Sequence, residues 1–326
     1  MVKNKKILIT GGAGYIGSIL TRLLLEKGYS IRILDKMLWG EESLIEIISH
    51  PKLEIIKGDI TNHAIFSEIM QGINAIIHLA AIVGDPACKK EPELATAVNL
   101  IASKVLFETA KFNKVQKFIF ASTCSNYGKM PDPNMYVNET SPLKPVSLYA
   151  ELKVAFEECL LNSLSNGIIP TSLRFATVYG ISPRMRFDLT VNEFVRDIFF
   201  GKELVVFGEK FWRPYCHVSD AARACLSVLE APSQKVNRRV FNVGDTAENY
   251  QKVLLIKEIV KSLPNANVKY VHKTEDPRDY KVDFSRIKKE LGFKVTKRIP
   301  DGIKEIISAL ERGLWRDPYD HKYQNT

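Results

Sequence analysis

The chain has 326 residues, 45% of them apolar and 25% charged, a balance that excludes disordered and fibrous classes. Its net charge of +9 is uneven: residues 1–200 carry 22 basic and 20 acidic side chains, whereas residues 201–326 carry 24 and 17. A basic C-terminal third suits an anionic partner, and the absence of any block of five like charges argues against nucleic acid.

Five cysteines, an odd and scattered set without a CxxC pair, point to a reducing compartment and away from a disulfide scaffold or a metal site. The N-terminal apolar run Ile7-Leu8-Ile9 stops at Thr10-Gly11, too short for a secretion signal. The run from Ala75 to Val83 is broken by His78 and falls far short of the ~20 residues that span a bilayer. These features predict a cytoplasmic protein with no membrane partner.

Short β-rich runs recur at Lys6–Thr10, Ile31–Asp35, Leu53–Lys57, Ala75–Leu79 and Phe118–Ala121. Between the first two, Ile16, Ile19, Leu20, Leu23 and Leu24 repeat at helical spacing and predict a helix over Tyr15–Lys27. Further helices are expected over Glu93–Phe112 and from Ser147 to about Ser165, then a strand over Thr171–Ala176. Nearly all-apolar strands separated by helices imply a parallel sheet covered on both faces. The expected fold is α/β: a doubly wound (Rossmann) parallel sheet with a smaller C-terminal α/β substrate lobe. The lobes are expected at 1–180 and 181–326, with segments near 214–244 returning to the first.

Thr10-Gly11-Gly12-Ala13-Gly14-Tyr15-Ile16-Gly17 joins the first strand to the first helix. Glycines there allow a tight turn and let a pyrophosphate approach the amides of the helix start. Asp35 ends the second strand, 18 residues after Gly17. A carboxylate there accepts hydrogen bonds from the adenosine ribose hydroxyls and repels a 2′-phosphate, which favours NAD over NADP. Asp59, after the third strand, is placed either near the adenine amine or as a helix cap.

Tyr149 and Lys153, four residues apart at a helix start, project from one face. Oxidation of a carbinol needs a base for the hydroxyl proton, and an ammonium one turn away favours the phenolate. YxxxK gains weight from Ala121-Ser122-Thr123-Cys124-Ser125-Asn126-Tyr127-Gly128, which leaves the fifth strand at the edge where ligands meet such a sheet.

With Thr10–Gly17, Asp35, Gly58-Asp59-Ile60, His78–Ala81, Asn99, Ser122–Gly128, Tyr149/Lys153, Leu173-Arg174, Val178–Gly180, Arg213, His217–Asp220 and Lys289–Phe293, the chain resembles the extended short-chain dehydrogenase/reductases. The likeness is to their nucleotide-sugar epimerase/dehydratase branch. It implies Tyr149 as catalytic base, Lys153 as tuner of Tyr149 and ligand of the nicotinamide ribose, and Thr123 as partner of the sugar hydroxyl. It also implies Gly11, Gly14, Tyr15, Ile16, Gly17, Asp35, Asp59, Ile60, Leu79, Ala80, Ala81 and Asn99 around NAD. Thr177, Arg184, Arg186, Arg213 and Arg278 are expected near a nucleotide-diphosphate sugar.

Cys124 and Ser125 stand where sugar-nucleotide 4,6-dehydratases carry Asp-Glu, and Thr177 stands where typical 4-epimerases carry Asn. The Arg-rich stretch Gly180–Asp188 looks more similar to bacterial enzymes that oxidise C4 of GDP-heptoses. The resemblance therefore implies action at C4, as a 4-epimerase first and a 4-dehydrogenase or 4-ketoreductase second. A non-catalytic NAD(H) sensor would be expected to lack the Tyr/Lys pair. Apolar residues on more than one face of the helices over 93–112 and 147–165 point to a homodimer.

Overall fold

The structure is a computed structural model and describes residues 5–325 apart from 131, 133–134, 165–166 and 273–277. Strands β1 (Lys6–Thr10), β2 (Ser30–Asp35), β3 (Leu53–Lys57), β4 (Ile73–His78), β5 (Lys117–Thr123) and β6 (Ile169–Phe175) form one parallel sheet. Its strand order runs β6-β5-β4-β1-β2-β3. Along β1 the side chains alternate between faces: Ile7 and Ile9 enter one apolar core and Leu8 the other. All three are fully buried, because helices cover both faces of the sheet. Helix α1 (Tyr15–Glu26) supplies Leu20 and Leu24 to the first of these cores.

The chain leaves β1 toward β2 on one side and returns at β4 on the other. That makes the crevice beyond the C-terminal ends of β1 and β4 the topological switch point, where ligands bind in such sheets. The two loops there are tied together: Gly11 N–H donates to Leu34 O (2.9 Å) and Leu79 N–H donates to Thr10 O (3.0 Å).

Beyond residue 176 a second lobe is built from β7 (Thr177–Tyr179), β8 (Leu204–Phe207), β9 (Trp212–His217), β11 (Asn249–Gln251) and β12 (Val268–Val271). Its core draws on Val191, Val195, Ile256, Ile303 and Ile306 from three helices. Between these pieces, β10 (Arg239–Val243) adds to the main sheet beside β6, and the Val218–Glu230 helix packs on α1. No helix among the described residues is long and apolar enough to cross a membrane.

The helix expected over Glu93–Phe112 runs unbroken from Pro92 to Phe112, with a π-helical turn at Ala97–Ala102 between Pro92–Thr96 and Ser103–Phe112. The wide turn carries Asn99, whose amide grips one residue of the loop after β4 from both sides. Its Oδ1 accepts from Ile82 N–H (2.8 Å) and its Nδ2 donates to Ile82 O (2.9 Å). The helix expected from Ser147 to about Ser165 runs over Leu148–Asn162; Ser165 lies outside the described residues.

Candidate active site

The glycines at the end of β1 are demanded by contacts. Gly11 has φ +77°, and a Cβ there would lie 2.8 Å from Ala80 N. At Gly17 a Cβ would lie 2.1 Å from Gly11 O. Gly14 caps α1 without a side chain, and the first turn of α1 holds no acid. The amides of this turn therefore point at the crevice uncapped by any side chain, the arrangement that receives a pyrophosphate. This cradle fits a dinucleotide.

Asp35, at the end of β2, is partly buried. Its two oxygens accept from Ala13 N–H (3.0 Å) and Met37 N–H (2.8 Å), so the carboxylate shapes the glycine loop as well as facing the crevice. Burial raises its pKa, against those amides and the nearby Arg184. Asp59 forms an ion pair with Lys36 (2.8 Å) and accepts from Thr61 N–H, while Ile60 is buried in the core. Leu79, Ala80 and Ala81 line the β4 side of the crevice, and Asn99 acts on it through Ile82. The Tyr15 hydroxyl is committed to the second lobe: it donates to Gly180 O (2.5 Å) and accepts from Asn192 Nδ2 (3.1 Å). Only the backbone of Tyr15 and Ile16 is placed to face an anion at the helix start.

Tyr149 lies in the first turn of the Leu148–Asn162 helix, which Ser147 caps by accepting from Ala150 N–H. The Ser147 hydroxyl in turn donates to Asp85 (2.7 Å), and Arg278 pairs with the other oxygen of Asp85 (2.7 Å). Lys153 is buried one turn along; its Nζ donates to Ala121 O at 2.8 Å and sits 4.7 Å from the Phe120 ring centre and 5.8 Å from that of Tyr149. Thr123 ends β5 beside them, with its Oγ1 accepting from Ser125 N–H (3.1 Å). The helix thus delivers a phenol and an ammonium over the end of the strand that carries the hydroxyl.

Burial sets the electrostatics here. It pushes the Lys153 ammonium down to about 8. It also raises the Tyr149 phenol, helped by Cys88 and Asp85 and opposed by Arg186. The expected lowering of Tyr149 by Lys153 is not seen here, because burial of the phenol dominates its pKa. Beneath the site His78 bridges Thr10 (2.7 Å) and Ser103 (2.8 Å), and burial pushes its pKa down to about 3, so it is neutral. Cys124 is buried with its thiol on Arg174 O (3.2 Å), facing the core.

The remaining candidates are spread along the cleft. Thr177 is partly exposed on β7. Arg186 pairs with Asp188 (3.0 Å) and lies near enough to Tyr149 to act on its charge. Arg213 donates to Trp212 O (2.7 Å) with its guanidinium 5.6 Å from the Tyr280 ring centre. Arg184, grouped in the sequence with these, packs against Trp39 and feels the charges of Arg186, Asp188 and Asp35.

Asp85 is a position that sequence reasoning missed. Gly84-Asp85-Pro86 carries a local helix-start signal, but its partners Ser147 and Arg278 are 62 and 193 residues away. Tyr280, buried against Arg213 and hydrogen-bonded to Ser125, gave no local signal.

Residues 7–244 match the NAD dependent epimerase/dehydratase family. An uncharacterized UDP-glucose epimerase of Bacillus subtilis is 29% identical, covering 94% of this chain and 98% of that protein. A UDP-N-acetyl-alpha-D-glucosaminuronate decarboxylase of Bacillus cytotoxicus is 27% identical over 93% and 97%. Among solved structures, UDP-glucuronic acid 4-epimerase from Bacillus cereus, in complex with UDP-glucuronic acid and NAD, superposes with a TM-score of 0.84. It is 26% identical and covers 95% of this chain and 100% of its own. The glycine cradle, the Tyr149/Lys153 pair at its open edge and the family match lead to one statement: this chain is an NAD-dependent enzyme of the epimerase/dehydratase family.

Proposed function

We propose that the protein interconverts the C4 epimers of a nucleotide-diphosphate sugar. The observation that carries this reading is the convergence of Tyr149, Lys153 and Thr123 at the end of β5 beside the glycine cradle, with no carboxylic acid at 124 or 125. A 4,6-elimination needs an acid and a base there. The buried Cys124 thiol, whose pKa burial raises far above neutral, supplies neither.

Bound NAD supplies the hydride acceptor and donor. Tyr149 takes the C4 hydroxyl proton and returns it once the hydride has been delivered to the other face. Lys153, held between Ala121 O and the Phe120 ring, places a positive charge beside the developing phenolate. Thr123 fixes the sugar oxygen, Arg213 and Arg186 meet the anionic part of the substrate, and Thr177 borders it. Arg278 acts on the site through Asp85, steadying the start of the helix that carries Tyr149.

The five cysteines are free thiols, which supports a reducing, cytoplasmic location. Phe112 and Ile101, 86% and 50% exposed along one helical segment, support a homodimer seam that light scattering would detect.

Purified enzyme incubated with UDP-, GDP-, CDP- and dTDP-sugars, with and without added NAD, tests the activity. An epimeric sugar formed with no net NADH is the expected product. Accumulation of keto sugar with stoichiometric NADH would make the enzyme a 4-dehydrogenase and overturn epimerisation.

A further inference from the structure

Among the described residues, Arg184 is a buried cleft arginine with no carboxylate at ion-pair distance. Its side chain is 6% exposed, its Nε has no hydrogen-bond partner, and its terminal nitrogens reach only the carbonyls of Met185 (3.4 Å) and Gln324 (2.9 Å). Its neighbour Arg186 is paired with Asp188, so that carboxylate is already engaged.

The setting of Arg184 is fixed from three sides. Its guanidinium lies 4.7 Å from the ring centre of Trp39, in the loop that follows Asp35. Two residues before it, Ser182 donates to Tyr15 O (2.7 Å) and touches Ser18 (3.0 Å), which pins this segment to the start of α1. The C-terminal tail closes the third side: Phe187 N–H donates to Tyr323 O (2.8 Å), and Phe187 packs edge-on against Trp315 and Tyr323. A cation from the second lobe is thus buried beside the uncapped start of α1 and the carboxylate of β2. Asp188 and Asp35 act on this charge without a direct ion pair among the described residues, so its burial is costly, and a ligand phosphate would offset that cost.

We propose that Arg184 binds the phosphates of the dinucleotide, reaching from the second lobe to the cofactor side of the cleft, with the C-terminal tail holding it in place. This rests on the NAD reading of the glycine cradle but not on the choice of epimerisation. It also gives the second lobe a direct hold on the cofactor, separate from its hold on the sugar nucleotide.

Titration calorimetry on the full chain tests it, with NAD, ADP-ribose and UDP as the three ligands and no sugar present. Arg184→Ala is expected to weaken NAD and ADP-ribose alike by roughly ten-fold or more, the loss of one charged hydrogen bond. UDP affinity should stay within about two-fold, because the substrate arginines are untouched. Should the alanine variant fail to fold, Arg184→Gln, which keeps the length and drops the charge, must show the same loss. Unchanged NAD and ADP-ribose affinity in a folded variant, or a loss confined to UDP, overturns the proposal. Wild-type protein that binds NAD but converts no sugar nucleotide would refute the function proposed above and leave this result intact.

Discussion

Lys153 should make the protein less stable at neutral pH than a neutral side chain would. Its pKa falls from 10.5 to about 8 on folding because the ammonium is buried. The native state therefore releases this proton near pH 8 and the unfolded chain near 10.5, so between those values the unfolded state binds more protons and stability rises with pH. A shift of that size, at ~1.4 kcal/mol per unit, costs about 3 kcal/mol below pH 8. Lys153→Met removes the charge at similar length but leaves the Ala121 carbonyl without its donor, a loss of ~1 kcal/mol. The variant should be more stable by about 2 kcal/mol at pH 7, and this advantage should vanish by pH 10.5. Urea unfolding of both proteins at several pH values measures the difference, and other titrating groups, such as Lys117, cancel in it. A variant that is less stable at pH 7, or a difference that does not change between pH 7 and pH 10.5, would refute the reasoning.

Tyr149→Phe should lower turnover by ~10²–10⁴-fold while NAD affinity, followed by calorimetry, stays unchanged. Gly17→Ala puts a methyl group 2.1 Å from Gly11 O, so the loop must shift and NAD binding should weaken by roughly ten-fold or more in the same assay. Glu157→Ala strands the buried Arg174 guanidinium, which Glu157 holds together with the Ser172 hydroxyl (2.6 Å). That should cost about 3–5 kcal/mol in chemical denaturation and lower Tm by roughly 4–7 °C for a chain of this length. Full activity at low temperature would accompany it, since Glu157 lies two turns from Tyr149.

The elements that position the site were legible because their signals are local. The runs at Lys6–Thr10 and Leu53–Lys57 are strands over those same residues, and Thr10–Gly17 turns where its glycines require it. What the sequence hid depends on partners far along the chain. Nothing near Asp85 announces Ser147 or Arg278, and nothing near Arg184 announces Trp39 or Gln324. Arg174 did carry a hint, a lone charge in the apolar run from Leu173 to Ala176, but its partner Glu157 sits on a neighbouring helix. The Tyr149/Lys153 spacing correctly places both groups on one helical face. It cannot report that burial raises the phenol and lowers the ammonium, because desolvation is a property of the packed interior.

The π turn at Ala97–Ala102 holds one residue more than a regular helical turn would. Deleting one residue there would let the chain relax into a regular helix while the stretches on either side keep their facing, so the change would fall on the turn itself. Asn99 would let go of Ile82, and with it the strip of backbone that follows β4 and borders the cradle. Point substitutions on the outer side of the turn would be absorbed, whereas a single-codon deletion would reach the crevice without altering any residue that lines it.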